Sequence, residues 1–185
     1  MALRNRTFED RLGNIYFITT TVMNFDAIFK LGYKYNMIII NSLKHLINEH
    51  KAKLFSYVIM PSHVHVILFL PKGESIIDFM RDFKKFTSVE ITKLTKLENQ
   101  HYLLQRFKDN ALFAKNQRYK IWMDRYDAFI IKTEKMLRIK VNYIHNNPFK
   151  ASLVERPEDY IFSSARNYIL DDHSIIDVST DWSID

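Results

Sequence analysis

Two apolar runs separated by a tight turn constrain the fold of this chain more than any other feature. Residues 54–60 and 63–70 are rich in β-branched and aromatic residues, and Pro61 and Ser62 lie between them. Such runs on either side of a short turn predict an antiparallel β-hairpin. Because apolar residues occupy both faces of each run, we expect the hairpin to lie at the centre of a sheet that is covered on both sides.

The second strand of this hairpin begins with two histidines, His63 and His65. Alternate side chains of a strand point to the same face of the sheet, so the Cβ atoms of these residues should lie roughly 7 Å apart. Two imidazoles at that spacing can bind one metal ion. The alternative is that they are incidental residues at the solvent-exposed end of a strand.

Strands and helices alternate around the hairpin. Their apolar patterns predict a strand, two amphipathic helices and a short strand at residues 14–22, 33–50, 75–96 and 125–131. Thr133 should cap a further helix that runs to Asn146 and is ended by Pro148, since the residue before proline avoids the helical conformation. Residues 175–178 predict a last strand-like segment. The order is typical of an α+β fold, an α/β sandwich around a central antiparallel sheet.

Residues 97–120 are polar and mixed in composition, which predicts a loop with some helix. This segment could form a mobile insertion. The chain contains no internal repeat and no linker-like tract, and its 185 residues suffice for one hydrophobic core. We therefore expect a single domain that spans residues 1–185.

Composition favours a polyanionic partner. The chain has 27 Lys and Arg against 21 Asp and Glu, a net charge of +6 and a pI near 9.4. The absence of cysteine excludes disulfides, thiolate zinc sites and thiol nucleophiles. No apolar run approaches the ~20 residues of a membrane span, and the charged N-terminal residues do not resemble a signal peptide. We expect no membrane association and a cytoplasmic location.

One face of the second predicted helix is basic. Its residues follow the spacing i, i+3, i+4 and i+7, which brings them to one side of a helix: Arg81, Lys84, Lys85 and Ser88. Such a stripe is either an ordinary solvated surface or a set of contacts to nucleic-acid phosphates.

Tyr143 and Asn147 lie four residues apart in the last long predicted helix, so they share a face. That face is turned away from the apolar stripe of Leu137, Val141 and Ile144. A tyrosine in this position can reach an active site. The alternative is a tyrosine packed partly on the sheet and an asparagine that caps the end of the helix.

Four segments of the chain, in order, resemble conserved blocks of one enzyme family. They are Tyr57–His65, Arg81–Ser88, Tyr143–Pro148 and Ser163–Tyr168. Together they resemble the HUH single-tyrosine transposases, in which two histidines flank a hydrophobic residue, and in particular the REP-associated tyrosine transposases. The resemblance extends from about residue 16 to residue 177.

The sequence departs from the usual family pattern at three positions. Ser62 replaces an asparagine, Phe149 replaces a valine and Ser152 occupies a position where glycine is common. None of these changes removes a group that takes part in chemistry, although they bear on the geometry of turns.

The resemblance implies a fold and a mechanism. The fold would be the ferredoxin-like or RRM-like sandwich of HUH nucleases, and the partner would be single-stranded or hairpin DNA in the nucleoid. Tyr143 would attack the scissile phosphate and form a 5′-phosphotyrosine. His63, His65 and Asn147 would bind Mg²⁺ or Mn²⁺, and Mn²⁺ suits the mixed nitrogen and oxygen ligands better.

Several alternatives remain open at the level of sequence. Tyr126 is a rival nucleophile, although it belongs to a predicted strand without a polar partner one turn away. The chain could be a non-catalytic module that binds single-stranded nucleic acid, or a metal-dependent phosphodiesterase that activates water. It could act as a monomer or as a homodimer, and nothing in residues 132–148 decides between them.

Overall fold

The computed structural model describes residues 12–112 and 117–184. Its main elements, in chain order, are β1 (Gly13–Thr21), α1 (Tyr33–Glu49), β2 (Lys53–Met60), β3 (His63–Pro71), α2 (Ile76–Leu97), α3 (His101–Asn110), β4 (Asp127–Ile131), α4 (Glu134–Lys150) and α5 (Ala165–Leu170). Short 3₁₀ turns cover Met23–Phe25, Ile28–Leu31 and Pro157–Asp159. The described residues do not include 1–11, 113–116 and 185. All of these belong to the expected single domain, and 113–116 also belong to the expected insertion.

The four strands form one antiparallel sheet in the order β2-β3-β1-β4. The predicted hairpin is confirmed, since β2 pairs with β3 and Met60 lies opposite His63. β1 inserts between β3 and β4, so this strand order and the alternation with helices are those of a ferredoxin-like fold. The expected α+β sandwich around a central antiparallel sheet is therefore present.

The two faces of the sheet carry separate cores. Helices α1 and α2 cover one face, where Ile39, Leu43 and Phe83 pack against Val64 and other strand residues that point the same way. Helix α4 covers the other face, which we call the α4 face, through a smaller core of residues from all four strands and the helix: Ile15, Phe17, Phe55, Val58, Met60, Ile67, Phe69, Ile131, Leu137, Val141 and Ile144. The hairpin is thus covered on both sides, as its composition predicts.

Both long helices that flank the site begin at side-chain caps. The Ser75 hydroxyl accepts a hydrogen bond from the Asp78 amide at 3.4 Å, and the Thr133 hydroxyl accepts one from the Met136 amide at 3.2 Å. These bonds satisfy amides that have no partner within the first turn of a helix. The predicted start of α4 at Thr133 is confirmed.

The predicted end of α4 is wrong, because the helix includes Pro148 and continues to Lys150. A proline in the last turn removes only one amide donor, and the bond from the Ala151 amide to the Asn147 carbonyl at 3.0 Å closes the turn around it. Pro148 is buried, so packing also favours its helical position. The chain turns just beyond the helix at Ser152, whose φ of 54° explains why glycine is common there in the family.

Residues 97–120 contain the helix α3, which agrees with the expected mixture of loop and helix. Residues 175–178 are not a strand, contrary to prediction. Ile176 and Val178 are buried in the core under α1 and α2, while the Ser179 amide donates to the Leu54 carbonyl at 2.9 Å. The apolar pattern of this segment therefore reflects burial of side chains without a strand ladder.

Candidate active site

His63 and His65 lie at the start of β3, and their side chains are on the α4 face. Their ring centroids are 4.8 Å apart. His65 is 4% exposed, and its Nδ1 lies 2.8 Å from the hydroxyl oxygen of Thr19, the residue opposite it on β1. When Nδ1 carries the proton and donates it to Thr19, Nε2 presents its lone pair. Nε2 of His65 is buried and has no hydrogen-bond partner within the described residues, so it is free to bind a ligand.

Both imidazoles are held in the neutral form that binds metals. Burial lowers the pKa of His65 to about 3, with smaller effects from the charges of His63 and Lys140. Burial also lowers the pKa of His63. Metal-binding histidines usually donate their second ring N–H to a neighbouring oxygen, and Thr19 can accept such a bond from His65.

Tyr143 projects from α4 over these histidines. Its ring centroid lies 5.4 Å from that of His65 and 6.0 Å from that of Phe17, in edge-on geometry in both cases. The side chain is 41% exposed, whereas Leu137 and Ile144 of the same helix are fully buried. The expected position of Tyr143 off the apolar stripe is therefore correct.

Asn147 lies one turn further along the helix. Its side-chain amide donates to the Tyr143 carbonyl at 3.4 Å, which leaves the amide oxygen available. The C-cap of the helix is Ala151, so Asn147 is not in that position. Among residues 12–112 and 117–184, no three His, Cys, Asp or Glu side chains form a group that could hold a metal ion. A third protein ligand for a metal bound to His63 and His65 would therefore have to be of another type, such as an amide oxygen.

Tyr126 lies on the opposite side of the sheet. It packs against the core under α1 and α2, and the ammonium of Lys84 lies 5.2 Å from its ring centroid. Burial raises its pKa, which disfavours the nucleophilic phenolate. Of the two candidate tyrosines, only Tyr143 lies beside the histidines.

A buried polar network fixes α4 to the sheet. Nε2 of His145 lies 2.9 Å from the Ser164 hydroxyl and 3.3 Å from the Ser56 hydroxyl. Ser164 also accepts a hydrogen bond from the Tyr57 amide at 3.0 Å. Burial lowers the pKa of His145 to about 4, so the network holds a neutral imidazole. Since His145 follows Tyr143 by two residues, this network orients the helix that carries the tyrosine.

Two more residues on the α4 face were not identified from the sequence. Thr19 lies opposite His65 in the β1–β3 pairing, and Lys140 lies one helical turn before Tyr143. Helical spacing of three residues could have pointed to Lys140 once Tyr143 was chosen. Thr19 required the register between β1 and β3, which the sequence does not specify.

A second polar region lies between α2 and residues 117–124, and we call it the basic groove. It encloses about 560 Å³ and is lined by all four residues of the predicted basic stripe and by the segment across from it: Arg81, Lys84, Lys85, Ser88, Val89, Gln117, Tyr119, Lys120, Ile121, Trp122, Met123 and Asp124. The spacing along α2 therefore predicted a shared surface correctly.

The cations of the basic groove are not equally available. The ammonium of Lys84 donates to the carbonyls of Met123, Asp124 and Arg125 at 2.9, 3.2 and 3.2 Å, and burial lowers its pKa to about 8. Arg81 pairs with two carboxylates of its own helix, Asp78 and Asp82. Lys85 is exposed and forms no ion pair within the part of the chain that the structure describes.

The basic groove and the histidines lie at the same end of the sheet. The Met123 amide donates to the Thr21 carbonyl at 2.9 Å, and Thr21 lies opposite His63 in the β1–β3 pairing. Trp122 forms an isolated bridge with Val22. A ligand at the histidines could therefore extend into the groove across the end of β1.

The four-stranded antiparallel sheet and its helices form an α+β sandwich, and His63 and His65 lie at the start of its central strand β3. The model of the family described as "Transposase IS200 like" matches residues 31–147. This match covers more than half of the chain, and the protein belongs to that transposase family.

Two known proteins are similar to this chain, one in sequence and one in structure. A protein described as a REP-associated tyrosine transposase, from Haemophilus influenzae, is 24% identical over 156 residues, which are 82% of this chain and 80% of the relative. A solved structure of a REP-associated tyrosine transposase bound to a REP hairpin superposes with a TM-score of 0.63 at 22% identity, over 99% of this chain and 91% of that chain. The structural match supports the HUH nuclease fold. In the described part of the chain, no helix is both long and apolar enough to cross a bilayer.

Proposed function

We propose that this transposase cleaves and rejoins single-stranded or hairpin DNA through a covalent intermediate on Tyr143, with a bound divalent metal ion. One observation carries the proposal, namely the 5.4 Å separation between the rings of Tyr143 and His65, beside the His63–His65 pair. A partly exposed nucleophile beside two neutral imidazoles suits attack on a phosphate.

The proposed ligands of the metal are Nε2 of His65, an imidazole nitrogen of His63 and the amide oxygen of Asn147. The unpartnered Nε2 of His65 and the low pKa of both imidazoles support this set. Mixed nitrogen and oxygen donors suit Mn²⁺ better than Mg²⁺, although both are hard enough to bind phosphate oxygens. A bound divalent ion would polarise the scissile phosphate.

The protein's part in the reaction follows from the position of Tyr143. Its phenolic oxygen forms a bond to phosphorus while the bond from phosphorus to the 3′ oxygen breaks, and a proton passes from the phenol to the leaving 3′ oxygen through solvent. Rejoining reverses these steps, when a 3′-hydroxyl attacks the phosphotyrosine. Because each step exchanges one phosphate ester for another, no nucleoside triphosphate is required. The network of His145, Ser164 and Ser56 limits rotation of α4 and so holds the tyrosine in position.

DNA would reach the basic groove from the histidines. Lys85 is exposed and forms no ion pair within the described residues, so we assign it the main phosphate contact in the groove, with Arg81 and Ser88 beside it. Lys84 would act chiefly by holding residues 123–125 against α2, which shapes the wall of the groove. The relative in the solved complex binds a hairpin, and a hairpin with unpaired flanks is the substrate we propose for this chain. A cytoplasmic, nucleoid-associated location follows from that substrate.

We also propose that the active site forms within one chain. Helix α4 packs on the sheet of its own chain, and His145 ties it to β2 and to Ser164 of the closing segment. Mixing a His63→Ala protein with a Tyr143→Phe protein tests this point. We expect no recovery of activity in the mixture. Recovery would demonstrate an exchange of α4 between two subunits of a homodimer.

The proposed function is tested by incubation of the protein with hairpin DNA that has single-stranded flanks, in the presence of Mn²⁺, followed by a denaturing gel. We expect a covalent protein–DNA band and a DNA product with a free 3′-hydroxyl. DNA binding without cleavage would favour a non-catalytic module. Cleavage without the covalent band would favour a phosphodiesterase that uses activated water.

A further inference from the structure

Lys140 holds its ammonium among aromatic rings beside the proposed nucleophile. Its Nζ lies 4.8 Å from the ring centroids of both Phe17 and Phe129, and 5.5 Å from that of Tyr143. Phe17 and Phe129 lie opposite each other on β1 and β4, so the sheet fixes their separation. Within residues 12–112 and 117–184, no carboxylate forms an ion pair with Lys140 and no acceptor receives a hydrogen bond from it.

The contrast with Lys84 is informative. Lys84 uses its N–H donors on three carbonyls, whereas the neighbours of Lys140 are faces of rings, which attract a cation without accepting conventional hydrogen bonds. The aromatic side chains therefore position the ammonium of Lys140 and leave its three N–H donors unused. An anion that enters the site could receive all of them.

We propose that Lys140 is a further catalytic residue, whose ammonium donates hydrogen bonds to the non-bridging oxygens of the phosphate that Tyr143 attacks. This inference rests on the proposed function and adds to it a residue that contacts the substrate. As the bond from the phenolic oxygen to phosphorus forms and the bond to the 3′ oxygen breaks, negative charge grows on the non-bridging oxygens. Lys140 keeps its proton throughout and offsets that charge from a fixed position.

Electrostatics within the site support this role. Lys140 lies close enough to His65 to help depress the pKa of that imidazole. A fixed positive charge beside two proposed metal ligands should also weaken metal binding in the absence of DNA. The charge becomes favourable when a phosphate enters between the cations, because each of them then has an anionic neighbour. Binding of metal and binding of DNA should therefore strengthen each other.

The test compares Lys140→Met, Lys140→Arg and a matched control, Lys135→Met, which removes an exposed lysine from the same helix. Single-turnover rates of adduct formation are measured at saturating Mn²⁺ and hairpin DNA. We expect Lys140→Met to slow the reaction by about 10²-fold, as for loss of one oxyanion donor. Lys140→Arg should recover most of the rate, and Lys135→Met should match the unaltered protein.

Two binding measurements separate substrate contact from a structural role. In a Tyr143→Phe background that leaves the DNA uncut, Lys140→Met should reduce the slope of log affinity against log salt by about 0.7 to 0.9, the value for one phosphate contact. Without DNA, titration with Mn²⁺ should give tighter binding to Lys140→Met than to the Lys135→Met control. A lysine that only supported packing would change neither quantity in this way.

The outcomes distinguish this inference from the proposed function. If the unaltered protein forms an adduct and Lys140→Met forms it at the rate of Lys135→Met, the role of Lys140 is refuted and the proposed function stands. If the unaltered protein forms no adduct with any hairpin, the proposed function fails. The salt slopes then still decide whether Lys140 contacts phosphate, and equal slopes for Lys140→Met and Lys135→Met would refute that contact.

Discussion

Lys84 in the basic groove and Lys140 on the α4 face both lie where we propose that DNA binds, yet their surroundings differ. The ammonium of Lys84 donates hydrogen bonds to three backbone carbonyls, so its donors are already used within the protein. On the α4 face, and among the residues that the structure describes, Lys140 lies against aromatic rings without an ion pair, Nε2 of His65 has no hydrogen-bond partner, and Tyr143 is partly exposed. Most of the charged groups in the basic groove have partners within the protein, whereas the α4 face retains polar groups that a ligand could satisfy.

This difference separates binding from chemistry. Buried polar groups in folded proteins normally have partners, so an unpartnered imidazole nitrogen beside an exposed tyrosine marks a place where a ligand is expected. A groove in which Lys84 and Arg81 already have partners within the protein, and Lys85 has no ion pair among the described residues, offers shape and modest attraction to phosphate. Substitution of Tyr143, His63 or His65 should therefore impair the reaction with little effect on DNA affinity measured without metal, and substitution of Lys85 in the groove should do the reverse.

The largest effect is expected for Tyr143→Phe. The substitution removes only a hydroxyl from a side chain that is 41% exposed, so the fold and DNA binding should persist. Adduct formation should fall by at least about 10⁴-fold, because the nucleophile is lost. Tyr126→Phe is the matched control and should react normally, since Tyr126 lies on the opposite face of the sheet. Denaturing gels of both variants measure the outcome.

The next effect concerns the two histidines. His63→Ala and His65→Ala should each reduce cleavage by at least about 10²-fold and weaken Mn²⁺ binding, while affinity for DNA without metal stays close to that of the unaltered protein. His65→Ala should also cost about 1 kcal/mol of stability, because the Thr19 hydroxyl loses its partner. Global unfolding of His65→Ala, measured by circular dichroism, would instead assign that residue a structural role.

The anchor of α4 should make stability depend on pH. Burial lowers the folded-state pKa of His145 from 6.5 to about 4, so the unfolded chain binds a proton more readily between these values. Stability should therefore fall as pH decreases from about 6.5 to about 4, by up to about 3 kcal/mol from this group. Replacement of His145 by Gln should lower stability at neutral pH and flatten this part of the profile.

Urea unfolding of both proteins at several pH values measures this effect. His45→Gln is a suitable control, because His45 is exposed and lies on α1. An equally steep profile in His145→Gln would show that other groups cause the acid sensitivity of the fold.

The smallest effects are expected in the basic groove, where Lys85 and Lys84 should behave differently. Lys85→Ala should reduce the salt slope of DNA binding by about 0.7 to 0.9 and leave stability unchanged within about 0.5 kcal/mol. Lys84→Ala should lower stability by about 1 to 3 kcal/mol, because three carbonyls lose a charged donor. Equal salt slopes for Lys85→Ala and the unaltered protein would make Lys85 an ordinary solvated lysine.

The sequence predicted those parts of the fold that depend on local periodicity. Two apolar runs around the Pro61–Ser62 turn predicted the hairpin, and the two-residue period of a strand placed His63 and His65 on one face. Helical spacing separated Tyr143 from the apolar stripe of α4 and grouped Arg81 with Ser88. In each case the signal lies within a few residues, where strand and helix geometry fixes the direction of a side chain.

The features that escaped prediction depend on contacts between distant residues. Pro148 does not end α4, because the end of the helix packs on the sheet and tolerates the loss of one donor. Ile176 and Val178 are buried in the core, and no strand of the described residues pairs with them in a regular ladder. The carbonyl partners of Lys84 and the ring partners of Lys140 come from other elements, so no local pattern reveals them.

The most direct measurement of the central claim is the identity of the residue that carries the DNA. The adduct of the unaltered protein with hairpin DNA and Mn²⁺ can be digested with protease and nuclease, and the modified peptide can be sequenced by mass spectrometry. The account predicts a nucleotide linked through its 5′ phosphate to Tyr143. A nucleotide on Tyr126 or on any other residue would contradict the assignment of the α4 face as the active site.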